Sequence, residues 1–294
     1  MGNTIICGAG GLLGGAFCEV MNSNVIRVSR NGLSMDQPER INDLIVAVMP
    51  AVVINCAAHT DLEAAEHDEQ INNFANAQLP AILGSACRCT NSLLVHFSST
   101  GCYGNWKDEP YTENDDLRPT TAHHRAKAAG EENVRLSGCR HIIIRTGWLY
   151  GGQPGQPKNF VWRRMLEGLR TPTLRSDTYQ RGCPTFAGDL VRQTFAIVQG
   201  GLTGTFNATS QGTASRYQYV KHIIEAAHVP CDVEPGPPFK RLAPVSHNEM
   251  AINARLQSTG LDIMPKWRLS LTNYVGELLM SEEWKYQQMC RLER

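Results

Sequence analysis

Three glycines, at residues 8, 11 and 14, lie between an apolar run, Thr4 to Cys7, and a helix-forming stretch that opens at Leu12. No other feature restricts the chain as much. Gly8 permits a tight turn, Gly11 lets the backbone approach a diphosphate, and Gly14 lets the helix pack closely on the strand; the helix's first amides and its dipole then favour an anion. A bare glycine pattern is common, but one that follows a first strand and precedes a first helix predicts a dinucleotide-binding turn, with a ligand-free glycine-rich turn as the alternative. The loop would bring Gly8, Gly10, Gly11, Leu12, Leu13 and Gly14 against the ligand.

Further along, short apolar, β-rich runs recur at Thr4 to Cys7, Val25 to Val28, Ala51 to Cys56, Leu93 to Phe97 and His141 to Arg145. Between them lie stretches of helical period: Leu12 to Met21, Pro38 to Val48, Gln70 to Cys87 and Thr121 to Leu136. That alternation predicts a parallel sheet with right-handed crossovers, and the nearly continuous apolarity of the strands predicts helices over both faces. The fold class is therefore α/β, a Rossmann doubly wound parallel sheet. Past Tyr150 the texture changes, with turn-rich segments at Gly151 to Pro157 and Pro235 to Pro238. The expected division is a dinucleotide-binding domain over 1–147 and a smaller α/β domain over 148–294. The two interleave, because Asp189 to Gln199 reads as one more covering helix and Gly204 to Ala208 as one more strand, so about 186–208 returns to the first domain.

Composition excludes several classes of function. The 294 residues carry 28 Lys plus Arg against 28 Asp plus Glu and contain no basic run, so nothing supplies the patch that nucleic acid or an anionic membrane requires. No apolar stretch reaches the length of a membrane span, and the first residues lack the basic region of a signal peptide. The expected setting is cytoplasmic. Ten cysteines dispersed through so long a chain read as thiols rather than a disulfide framework. The close pair Cys87 and Cys89 has no histidine at zinc-site spacing, and Glu282 and Glu283 read as solvated helix charges, so no metal site is expected.

The end of the second apolar run bears on the choice of cofactor. An acidic residue there would accept hydrogen bonds from an adenosine ribose, whereas Arg or Ser would accommodate a 2′-phosphate. The chain has Ser29-Arg30. NADP(H) is favoured over NAD(H), the alternative being that Arg30 is only a solvated surface side chain.

Together, the glycines at 8, 11 and 14, Asn55-Cys56-Ala57-Ala58-His59-Thr60-Asp61, Asn76, Ser98-Ser99, Lys127 and Arg145 to Gly151 resemble the extended short-chain dehydrogenase/reductases, and among them the dTDP-4-dehydrorhamnose reductases. Lys158-Asn159-Phe160, Gln180 to Thr185, Asp189-Leu190 and Thr259 to Leu261 continue the similarity over nearly the whole chain. The resemblance implies a sugar-binding C-terminal domain, NAD(P) chemistry and a nucleotide-linked keto-sugar substrate. It implies that Cys56, Ala57, Ala58, Asn76 and Lys127 join the cofactor site, and that Ser99, Thr100, Tyr103, Trp148, Asn159 and Gln180 face the substrate, with Arg145 also in the cleft. It leaves a homodimer open, through long crossover helices such as 70–87.

In that family a Ser or Thr, here Ser99, holds the substrate carbonyl, and a Tyr four residues before a Lys supplies the proton that the developing oxyanion needs. This chain has Lys127 but carries His123 at the tyrosine position. Imidazole can donate and accept protons near neutrality, yet a lysine cation one helical turn away would depress its pKa. Three readings of His123 follow: a substitute proton donor, a residue of a member that binds without turnover, and an incidental histidine. Tyr103 is a further candidate donor, although a packing or substrate-contact role is the expected one. Two more positions depart from the family pattern: Ser34, where an adenine-contacting Asp is usual, and Tyr179, where an Asp precedes Gln180.

Overall fold

The computed structural model describes residues 3–21 and 23–292. Six parallel strands form the central sheet: β1 (Thr4–Cys7), β2 (Val25–Val28), β3 (Val52–Asn55), β4 (Leu93–Ser99), β5 (His141–Thr146) and β6 (Gly204–Asn207), in the spatial order β6-β5-β4-β3-β1-β2. Each run expected from the sequence forms its strand with its ends shifted by at most two residues. The strand order reverses between β1 and β3, so the loops leaving their carboxyl ends diverge and open a crevice.

Alternation along each strand sends neighbouring side chains to opposite layers. Ile6, Ile54, Val95, Phe97, Ile142 and Ile144 pack with Leu13, Phe17, Leu190 and Val191 on one face. Ile5, Cys7, Val53, Leu94 and Ile143 pack with Ile41, Ile45, Leu79 and Leu83 on the other. Because both faces are covered, the strands read as unbroken apolar runs. Helix Ala187–Gln199 and β6 rejoin the sheet from late in the chain, as expected.

A third core gathers Val161, Trp162, Met165, Tyr219, Ile223, Trp267, Leu271 and Tyr274 from helices Phe160–Arg170, Arg216–Ala226 and Trp267–Leu279, with Tyr150 from the short strand Leu149–Tyr150. Beside it, strands Thr173–Asp177 and Asp232–Gly236 pair in parallel. The second of these includes Pro235, which the sequence placed in a turn. A two-stranded ribbon leaves each strand a free edge, where a residue without an N–H is tolerated.

The expected helix over 70–87 is interrupted. Glu69–Asn73 and Leu79–Thr90 are α-helical, but Phe74–Gln78 between them is a wider π turn. Pro80 is the cause: it offers no N–H to the carbonyl four residues back, and its ring would collide with that carbonyl. The carbonyl belongs to Asn76 and leans toward helix Ala122–Leu136, where a Cβ on Gly130 would lie 2.1 Å from it. Among the described residues no helix is long and apolar enough to cross a membrane, and all ten cysteines are free thiols.

Candidate active site

The glycine turn has the geometry that its sequence predicts. Gly8 is left-handed at φ +76°, and a Cβ there would meet the Ala57 amide nitrogen at 2.7 Å, so the β1 turn lies directly against the loop leaving β3. A Cβ on Gly14 would lie 2.2 Å from the Gly8 carbonyl oxygen. Gly10 faces open space, with nothing within 4 Å of such a carbon. Gly11 caps helix Leu12–Val20 and has no side chain to satisfy the first amides. An open backbone cradle, uncapped amides and the positive end of a helix together form a donor set that suits a diphosphate.

The loop opposite is fixed from below. Asn55 is fully buried; its carboxamide oxygen accepts from the Ala57 amide at 3.1 Å, and its nitrogen sits 3.0 Å from Nδ1 of His96. This holds Cys56, Ala57 and Ala58 partly open beside Gly8. Asn55 had no assigned role in the sequence, because its partner His96 lies a strand away. At the end of β2, Ser29 caps a short 3-10 turn over Arg30–Leu33 without a side-chain hydrogen bond, and Arg30 is exposed.

Ser99 ends β4, its Oγ accepting from the Gly101 amide at 3.1 Å. The facing helix Ala122–Leu136 starts at Thr121, whose side chain caps the His124 amide. His123 and Lys127 lie one turn apart on its buried face. Lys127 is 5% exposed and donates to the Phe97 carbonyl at 2.8 Å, two residues before Ser99; burial takes its ammonium down to about 8. His123 is 6% exposed, with Nδ1 3.4 Å from the Asn76 side-chain nitrogen. Burial, reinforced by His124 and Lys127 and only partly opposed by the His59 carbonyl, takes its imidazole down to about 2. Burial therefore favours the neutral form of His123, against the imidazolium that a proton donor needs.

Five other candidate residues are buried. Tyr103 is fully buried and stacked on Tyr111; its hydroxyl donates to Asn207 at 2.7 Å and accepts from Arg145 at 3.0 Å. Its hydroxyl is thus already paired within the core. Arg145 forks onto the fully buried Glu131 through contacts of 2.7 to 3.2 Å. Thr100 is fully buried beneath Gly147. Asn159 is an N-cap, accepting from the Trp162 amide at 3.0 Å and donating to Tyr274 at 2.6 Å. Asn76 donates to the His59 carbonyl at 2.9 Å and to Asn72 at 2.8 Å, with no exposed surface to offer a cofactor. It shapes the 57–59 loop from beneath.

Trp148 and Gln180 are brought together, and with them a residue that sequence reasoning missed. The Arg216 guanidinium lies 3.6 Å from the centroid of the Trp148 ring, and its Nε donates to the Gln180 side-chain oxygen at 3.0 Å. No local signal marks a single arginine at the start of a helix; only the capping pair Ser215 and Gln218 locates that start.

A family model described as RmlD substrate binding domain matches residues 2–280. A dTDP-4-dehydrorhamnose reductase of Mycobacterium tuberculosis is 30% identical over 280 residues, covering 91% of this chain and 90% of the relative. The crystal structure of a dTDP-4-dehydrorhamnose reductase from Clostridium acetobutylicum is 29% identical, with a TM-score of 0.90, covering 95% of this chain and all of that one. That of the Bacillus anthracis dTDP-4-dehydrorhamnose reductase, in complex with NADP, is 25% identical with a TM-score of 0.89, covering 94% and 100%.

Proposed function

The chain belongs to the RmlD substrate-binding-domain family, and from that membership we propose that it is a nicotinamide-dependent oxidoreductase that reduces a nucleotide-linked 4-keto-6-deoxysugar, with NADPH preferred to NADH. The observation that carries this reading is the uncapped glycine turn beside the β3 loop, with Ser99 and the buried Lys127 at the adjoining strand end. The bound cofactor would supply the reducing equivalent. The amides of Leu12, Leu13 and Gly14 would hold its diphosphate, Arg30 and Ser29 its 2′-phosphate, and Lys127 its nicotinamide ribose. We also take residues 1–147 together with about 186–208 as the cofactor-binding part and the remainder of 148–294 as the substrate-binding part.

On the substrate side, Ser99 would donate its hydroxyl hydrogen bond to the carbonyl oxygen, drawing off the charge that develops there. His123, being neutral, would orient the carbonyl rather than protonate it. Lys127, held at about 8, is then the group of the three with an exchangeable proton near neutral pH.

The neutrality of His123 also favours a second reading, a member that binds cofactor and sugar nucleotide without turnover. NADPH and NADH are titrated first, and turnover of dTDP-4-dehydrorhamnose is then followed for the wild-type protein and for His123→Tyr. The reductase reading expects wild-type turnover that His123→Tyr accelerates by on the order of 10²-fold. Cofactor binding with turnover in His123→Tyr alone supports the second reading; no binding of either nicotinamide dinucleotide refutes both.

A further inference from the structure

Two arginines, the buried Arg145 and the half-buried Arg216, differ in one respect. Arg145 has its counter-ion, the carboxylate of Glu131 at 2.7 Å. Arg216 has none within ion-pair distance among the described residues. The two carboxylates whose fields reach it are committed elsewhere: Glu249 accepts from the Trp148 indole nitrogen at 2.7 Å, and Asp177 accepts from the Tyr179 and Gln180 amides at 2.6 and 3.2 Å. The other nearby charge is a second cation, Arg241; burial, followed by the fields of these neighbours, takes Arg216 down to about 10.

Its placement is nevertheless tightly fixed. Gln180 holds it at both ends, accepting from Nε through its side chain at 3.0 Å and from the backbone amide through its carbonyl at 3.1 Å. Trp148 lies beneath the guanidinium, pressed onto Gly182, where a Cβ would come within 2.4 Å of the indole. Trp148 takes a left-handed backbone at φ +44°, a conformation that strains a bulky residue and is found at ligand sites. The fork edge of the guanidinium is left without a carboxylate, and a half-buried, unpaired cation beside a like charge is a place where an added anion is favoured.

We propose that Arg216, braced by Gln180 and Trp148 and assisted by Arg241, binds the diphosphate of the nucleotide-linked substrate. This deepens the functional reading above and rests on it. A guanidinium fork suits two phosphate oxygens, and a second cation suits a dianion better than a monoanion. Arg241 sits in the segment 237–245, whose Leu242 amide donates to Glu63 at 2.9 Å, so the anion would lie where the substrate-binding part meets the cofactor-binding part.

Thymidine diphosphate and inorganic pyrophosphate are titrated by calorimetry into wild-type protein, Arg216→Gln, Arg216→Lys and Arg241→Gln, with NADPH affinity and melting temperature measured on each as controls for folding. Pyrophosphate should compete with thymidine diphosphate. Arg216→Gln should weaken both at least tenfold with NADPH affinity unchanged, Arg216→Lys and Arg241→Gln less. Undiminished thymidine diphosphate binding by Arg216→Gln overturns this assignment and leaves the reductase reading standing. Arg216-dependent pyrophosphate binding without thymidine diphosphate binding upholds the anion site and removes the thymidine nucleotide from the functional reading. Failure of the wild-type protein to bind either probe overturns the assignment.

Discussion

If His123 is neutral in the folded chain, replacing it with glutamine should make the protein less sensitive to acid by a calculable amount. In the unfolded chain the imidazole titrates near 6.5, whereas in the fold it stays unprotonated to about 2. Between those values the unfolded state binds a proton that the folded state does not, so stability falls as pH falls, by about 1.4 kcal/mol per pH unit. From neutrality to a pH of about 4.5 this amounts to between about 2 and 3 kcal/mol, and any folded value below about 3.5 gives nearly the same figure. Glutamine keeps a polar side chain of similar reach and does not titrate. Urea unfolding of both proteins at the two pH values cancels the contributions of His96 and His124, also held down by burial, because the variant retains them. The wild-type protein should lose about 2 to 3 kcal/mol more than His123→Gln. Equal losses would show that the imidazole protonates freely in the fold, returning it to the role of acid.

Other consequences follow from the same geometry. Gly14→Ala, whose new carbon would lie 2.2 Å from the Gly8 carbonyl, should abolish NADPH binding or stable folding, whereas Gly10→Ala, with open space around it, should keep the wild-type melting temperature and weaken NADPH alone. NADPH affinity should fall as pH rises through about 8, where Lys127 loses its charge, and Lys127→Met should remove that dependence along with most of the affinity. Glu131→Gln strands two arginines and should lower the unfolding free energy by about 3–5 kcal/mol in urea titrations. Arg30→Glu should reverse the ratio of NADPH to NADH affinity measured by nicotinamide fluorescence; an unchanged ratio would leave Arg30 a solvated side chain.

The sheet was legible in the sequence because both its faces are covered, so Ile5 and Ile6, or Ile142 to Ile144, mark a strand without reference to distant residues. The glycine turn, Ser99 and Lys127 were legible because their requirements are local: a strand end, a turn, a spacing of four on a helix. What escaped depends on contacts across the chain. Tyr103 meets Asn207, 104 residues away, and Asn159 meets Tyr274, 115 away; neither hydroxyl nor amide carries a mark of being already paired. Arg145 and Arg216 look alike as residue types, and only the nearness of Glu131 to one separates a core ion pair from a free cation.

The π turn at 74–78 acts as a rotary joint. An extra residue in one turn advances everything downstream by about 100° around the axis relative to an uninterrupted helix. Asn72 just before it and Asn76 within it brace the loop and helix end that carry His59 and His123; downstream, Leu79, Leu83 and Ala86 lie against the sheet. A uniform helix would have to choose which of these two directions to face. The joint lets one rod tune an active site at one end and seal a hydrophobic layer at the other, so deleting a single residue within it would turn one of the two functions toward solvent.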